Sequence, residues 1–137
     1  MTPEQNVEIV KKAYADFGRG DVAALLAALD ADVSWTTPAS VEMPCAGAVK
    51  GVAGVADFFK SVGETWDFES FEPQQFVASG DRVMVQGHYR TRSRNTGRMT
   101  ECDWVMAWTL RNGKVTAFQE YTDSALLRDA LTVRAAA

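Results

Sequence analysis

His88 is the only histidine in the chain, and it stands in an alternating stretch with Met84, Gln86 and Arg90. In a strand, residues two apart share a face, so Gln86, His88 and Arg90 form one polar stripe. Cys102, Trp104, Met106 and Trp108 alternate in the same way. Two tryptophans flanking a methionine make a broad apolar surface, and a polar stripe opposite it reads as a pocket with a few oriented polar groups. Glu120, on the Phe118 side of a later alternating stretch, brings a carboxylate towards Arg90, a pairing that serves both sites and structural networks. The chemistry these residues support is proton transfer by histidine or carboxylate, with aromatic walls moving their pKa values. His88 is the expected proton carrier, with Arg90 and Glu120 orienting it or a water. Trp35, Trp104, Met106 and Trp108 are the expected walls, and Tyr14, Thr37, Phe58 and Gln86 further substrate contacts. Against this stands a structural reading, in which His88 is a satisfied framework residue and the tryptophan face is plain core.

Other chemistries lack support. A single histidine without a Cys/His cluster disfavours a metal site. No GxSxG, P-loop or GxGxxG motif is present, and no cofactor is implied. The net charge of −4 speaks against a nucleic-acid partner. Arg82, Arg90, Arg92, Arg94 and Arg98 form a local exception with no acid between them, read as a solvated hairpin tip or, more sharply, as an anion-attracting rim. No apolar run approaches the roughly 18 residues that span a bilayer, so no membrane role is expected. Met1 to Lys12 has no signal-peptide pattern. A cytoplasmic protein with Cys45 and Cys102 as free thiols is the expectation.

The elements that must position these residues are legible along the chain. At 137 residues, with 47% hydrophobic and 23% charged residues, residues 1–137 read as one globular domain. Thr2-Pro3-Glu4-Gln5 reads as a capped helix start, and Val7, Val10, Tyr14 and Phe17 recur at helical spacing until Gly18 and Gly20. Asp21 caps a short second helix carrying Val22, Leu25, Leu26 and Leu29. Val33 to Thr36 alternates as a strand, ended by Pro38. The stretch from Ala39 to Lys50 reads as irregular, and loops this long in a compact domain usually act as lids or entrances. Gly51 to Val62 returns to helix. Four strand-like stretches follow from Trp66, separated by turns at Ser79-Gly80-Asp81, Asn95-Thr96-Gly97 and Asn112-Gly113. Asp123 or Ser124 caps a final short helix, and the tail from Val133 to Ala137 is expected to fray. Helices early and strands late predict an α+β fold, a curved antiparallel sheet wrapped around a helical hairpin and a third helix.

Several segments resemble the nuclear-transport-factor-2-like superfamily, and within it SnoaL-like proteins. They are Tyr14-Ala15-Asp16-Phe17-Gly18-Arg19-Gly20-Asp21, Leu29-Asp30-Ala31-Asp32-Val33-Ser34-Trp35, Gly51-Val52-Ala53-Gly54-Val55-Ala56-Asp57-Phe58-Phe59, Thr96-Gly97-Arg98, Trp108-Thr109-Leu110-Arg111-Asn112-Gly113-Lys114-Val115 and Glu120-Tyr121-Thr122-Asp123-Ser124. The resemblance implies a cystatin-like cone enclosing one pocket. It fixes the fold better than the reaction, because the superfamily holds isomerases, cyclases, epoxide hydrolases, dehydratases and non-catalytic binders. The catalytic positions of ketosteroid isomerase look like Thr37, Met106 and Ala13 here, so that machinery is missing. The last acid of the limonene-epoxide-hydrolase-like set resembles Glu120, while its Arg and Asp fall near His88 and Arg90. SnoaL-type cyclases imply a carboxylate and a histidine in one pocket. Two readings result: an acid–base isomerase, cyclase or hydrolase acting on an apolar cyclic or polyketide-like compound, or a non-catalytic ligand-binding or dimerisation module. The resemblance also implies a homodimer through the outer sheet face, where Asp103, Val105 and Ala107 are expected.

Overall fold

The hydroxyl of Thr2 accepts the Gln5 amide and the Gln5 side chain accepts the Thr2 amide, so the capping box starts helix α1 (Pro3–Gly18). Val10 and Ala13 are buried on its inner stripe, with Tyr14 and Phe17 half-buried beside them. Gly20, at a φ of 72° that suits glycine, turns the chain into α2 (Val22–Ala27), capped by Asp21. There follow β1 (Leu29–Thr36), β2 (Ala48–Lys50), α3 (Gly51–Thr65), β3 (Trp66–Ser79), β4 (Arg82–Ser93), β5 (Met99–Arg111), β6 (Lys114–Thr122) and α4 (Ser124–Leu131), the last capped by Asp123. This structure is a computed structural model describing residues 1–133. Of the tail expected to fray, all but Val133 lies outside the described residues. No helix among them is long and apolar enough to cross a membrane.

The six strands form one curved sheet, not closed into a barrel, in the order β2-β1-β6-β5-β4-β3. Strands β3 to β6 are an antiparallel meander. The exception to the antiparallel expectation is β1, which runs parallel to β6. These two strands are joined by most of the chain, so no hairpin dictates their direction. The three-residue β2 lies within the stretch expected to be irregular and pairs with the end of β1. Register shifts in β3, between Phe68 and Ser70 and between Pro73 and Gln75, bend the sheet as bulges do. α1 packs against β3 and β4, and α3 against β1, so the helices fill the concave side.

Strand alternation assigns the two faces. On β4 the buried residues are Val83, Val85, Tyr89, Thr91 and Ser93, and Gly87 shares their parity. Across from them on β5 stand Cys102, Trp104, Met106 and Trp108, with Gly87 paired to Trp104 and Tyr89 to Cys102. On β6 the same face carries Phe118, Glu120 and Thr122. The outer face carries Gln86, His88 and Arg90, together with exposed Val77, Met84, Val105 and Tyr121.

Within the arginine-rich stretch Arg82, Arg90 and Arg92 are exposed, whereas Arg94 and Arg98 reach back to the helices. Arg94 donates to the carbonyls of Gly63 and Trp66 at 2.9 and 3.2 Å. Arg98 donates to the carbonyls of Asp129 (2.6 Å) and Thr132, and Thr96 Oγ1 donates to Ala130 O. These groups donate to carbonyls at the C-terminal ends of α3 and α4, where a cation also suits the helix dipole. The β4–β5 hairpin therefore anchors both helices.

Gly87 is the tightest point of the concave face. A Cβ there would lie 2.2 Å from Trp104 Cζ2 and 2.5 Å from the Glu72 carbonyl oxygen. The indole lies directly against a backbone without a side chain. Gly87→Ala therefore forces β3, β4 and Trp104 apart, and it is expected to lower unfolding free energy by about 2–3 kcal/mol. Urea unfolding followed by tryptophan fluorescence measures this, and an unchanged midpoint would contradict the packing.

Candidate functional site

The concave face and the helices enclose a cavity of about 100 Å³. That is comparable to the roughly 150 Å³ void that admits benzene in a designed case, and the cavity is partly open to solvent. Tyr14 and Phe17 reach it from α1, Phe58, Phe59 and Val62 from α3, and Trp66, Phe68 and Phe71 from the start of β3. Trp35 and Thr37 enter at the end of β1, Tyr89 and Thr91 from β4, Met106 and Trp108 from β5, and Phe118 and Glu120 from β6. The loop after β1 completes the lining with Pro38, Val41, Met43 and Ala46, and α4 adds Leu127. The loop closes on itself through Thr37 N–H to Gly47 O at 3.0 Å and is tied to α4 by Glu42 and Arg128 at 3.5 Å.

The walls are held by aromatic packing and one polar chain. Trp35 stacks on Phe118 with centroids 3.9 Å apart, and Trp108 meets Trp35 edge-on at 5.7 Å. Trp108 Nε1 donates to the Tyr14 hydroxyl at 2.9 Å, which donates to Met106 Sδ at 3.2 Å. Burial pushes the Tyr14 hydroxyl well above its ordinary pKa, so it stays protonated. Trp35 Nε1 and Thr37 Oγ1 are buried with no hydrogen-bond partner among the described residues, a spare polar capacity in the wall that a ligand oxygen would use.

Glu120 is the only carboxylate in this lining, which holds no lysine, arginine or histidine. It is only partly accessible, and its Oε2 accepts the Tyr89 hydroxyl at 3.1 Å. Burial pushes its carboxyl up from 4.5 to about 7, against the opposing pull of that hydrogen bond. Burial and the neighbouring carboxylate push Tyr89 up in turn, and burial raises the Cys102 thiol.

The expected His88–Arg90–Glu120 cluster does not form. Gln86, His88 and Arg90 occupy the outer face, where His88 Nδ1 meets Asp103 Oδ1 at 2.9 Å and Arg90 meets Glu69 and Glu101 at 2.8 and 3.2 Å. The reason is parity: Tyr89 points inward, so its two neighbours point outward. Trp104 is on the inner face but is 1% exposed. It lies behind the cavity wall, stacked on Tyr14 at 5.8 Å and against Phe71 at 5.2 Å. Tyr14, Trp35, Thr37, Phe58, Met106, Trp108 and Glu120 all line the cavity. Tyr89, not among the site residues expected from the sequence, lines the cavity and shares the parity of the apolar Val83 and Val85.

The fold is a cone whose concave face carries an aromatic-lined cavity with one inward carboxyl. The SnoaL-like domain matches residues 10–118, and the chain belongs to this family. An NTF2-like protein from Burkholderia xenovorans is 41% identical, with 96% of this chain and 99% of that one covered and a TM-score of 0.87. TerC, co-crystallised with polyporic acid, is 27% identical, with 93% and 98% covered and a TM-score of 0.83. An uncharacterised protein of Mycobacterium tuberculosis is 26% identical over 88% of this chain and 91% of its own length.

The raised pKa has a consequence for stability. Between about pH 4.5 and 7 the folded chain keeps a proton on Glu120 that the unfolded chain has lost. Stability therefore falls as pH rises through this window and levels off above it. Glu120→Gln removes the loss. The variant is expected to match the wild type near pH 4 and to exceed it by about 2–3 kcal/mol near pH 8. Chemical denaturation at the two pH values checks this, and equal stabilities at both would contradict it.

Proposed function

We propose that this chain is a cofactor-independent acid–base enzyme acting on a small apolar ring compound that carries a carbonyl or hydroxyl oxygen. The observation that carries the reading is Glu120: one carboxyl, with its pKa pushed up to about 7, in a cavity otherwise walled by aromatic and aliphatic groups. An acid poised near neutral pH takes up and delivers a proton with similar ease, which is what isomerisation or ring closure at an enolisable position requires. Glu120 takes the role expected of His88. Trp35, Phe118 and Trp108, packed on one another, offer one aromatic wall for the ring to lie against, and the unpaired Trp35 N–H and Thr37 hydroxyl receive its oxygen. Polyporic acid, the ligand named in the TerC structure, is a probe of whether the partly open cavity also admits a larger ring system.

Cyclic ketones and hydroxylated ring compounds, polyporic acid among them, would be screened by quenching of tryptophan fluorescence. Bound compounds would then be tested for solvent deuterium uptake at carbon. The wild type is expected to catalyse uptake with an inflection near pH 7, and Glu120→Gln to bind similarly while losing at least about 100-fold in rate. Binding without uptake by the wild type would favour a ligand-carrying module, and undiminished uptake by the variant would remove Glu120 from the chemistry.

We also propose that two copies pair across the outer sheet face, where Val77, Met84, Val105 and Tyr121 form an apolar diagonal over four adjacent strands. Light scattering is expected to report a dimer that Val105→Lys converts to a monomer; a wild-type monomer would overturn the pairing.

A further inference from the structure

Tyr89 has one hydroxyl proton and two acceptors within reach. Its Oη lies 3.1 Å from Glu120 Oε2 and 3.3 Å from Thr122 Oγ1. Glu120 and Thr122 are two residues apart on the inner face of β6, and Tyr89 reaches both from β4 across β5. The Thr122 hydroxyl donates its own proton to the Asp103 carbonyl at 3.0 Å, so it presents a lone pair to Tyr89.

The two protonation states of Glu120 use this geometry differently. When Glu120 is ionised, Tyr89 donates to it, because a charged acceptor outcompetes a neutral one. When Glu120 is protonated, its own O–H can donate to Tyr89 Oη. The Tyr89 proton then turns to Thr122, completing an unbroken chain from Glu120 through Tyr89 and Thr122 to the Asp103 carbonyl. Every donor in that chain has an acceptor, and none is added or lost elsewhere.

We propose that Tyr89 is a two-position proton switch, and that Thr122, which the cavity lining does not include, is the positioning residue that favours the protonated form of Glu120. The other titratable groups around the switch are Tyr14 from α1, Cys102 from β5, which is hydrogen-bonded with Thr122, and Asp123, the cap of α4, whose charge reaches Cys102. β1, α3 and α4 present Trp35, Thr37, Phe58, Phe59, Val62 and Leu127 to the cavity, none of which titrates. The switch therefore works without a cation in the cavity lining. It rests on the reading of Glu120 as the proton-carrying group only for its catalytic meaning.

The two partners of Tyr89 make opposite predictions. Removing Thr122 leaves Tyr89 with Glu120 as its sole acceptor, which favours the carboxylate. Removing the Tyr89 hydroxyl strips the carboxylate of its donor. The test is a ¹³C-carboxyl NMR titration of Glu120 in the full chain without substrate, so its outcome is independent of whether any ring compound is turned over. Thr122→Val is expected to lower the Glu120 midpoint by about half to one unit, Thr122→Ser to restore it, and Tyr89→Phe to raise it by a similar amount. In the wild type, the Tyr89 ring-carbon shift should follow the Glu120 titration as the hydroxyl changes partner, a readout that needs no folded variant. Val and Phe variants that move the midpoint in the same direction, or a wild-type Tyr89 shift that stays flat through the Glu120 titration, would overturn the switch.

Discussion

A carboxyl group set on the concave side of an aromatic cone has almost nothing to solvate its charge. In this chain Glu120 has the Tyr89 hydroxyl and no cation in the surrounding lining. The neutral form is therefore favoured, and the group sits near pH 7 instead of in the usual carboxylate range. The guanidinium that would change this is one residue from Tyr89. Arg90 on the inside would pair with Glu120 and hold it ionised, leaving a structural ion pair and no poised acid. The two-residue period of β4 keeps Arg90 outside, where it bridges Glu69 and Glu101.

The sheet's construction maintains that separation. A register slip by one residue would exchange the faces of a strand, and several contacts oppose it. Gly87 leaves room for Trp104 and for nothing larger, fixing β4 against β5. Trp35 stacked on Phe118 fixes β1 against β6. The bond from Trp108 through Tyr14 to Met106 ties α1 to the same face. Arg94 and Arg98 then hold the ends of α3 and α4, and α4 presents Leu127 to the cavity. Fold and site are thus set by the same packing.

Much of this was legible in the sequence because it rests on local signals. The capping box of α1, the Asp21 and Asp123 caps, and the Asn112-Gly113 turn, whose two residues have positive φ of 50° and 78°, are each written in a few adjacent residues. So is the face shared by Phe118 and Glu120. The parallel pairing of β1 with β6 depends on long-range assembly, which leaves no local mark. The misplaced stripe had a different cause. Polar groups suit a catalytic pocket, which favours an inward Gln86, His88 and Arg90, whereas the alternation of Val83, Val85 and Tyr89 marks the apolar, inner parity. Chemical expectation displaced the hydrophobic period, and the period decides burial.

Site and chemistry both depend on the protonation of Glu120 near neutral pH. It is accessible directly by infrared difference spectroscopy, comparing wild type with Glu120→Gln as pH is raised. A protonated carboxyl gives a carbonyl band distinct from that of carboxylate. A band of this kind is expected in the wild type at about pH 6, absent from the variant, and fading as pH passes about 7. A wild type whose carboxyl bands are all those of carboxylate at about pH 6 would contradict it.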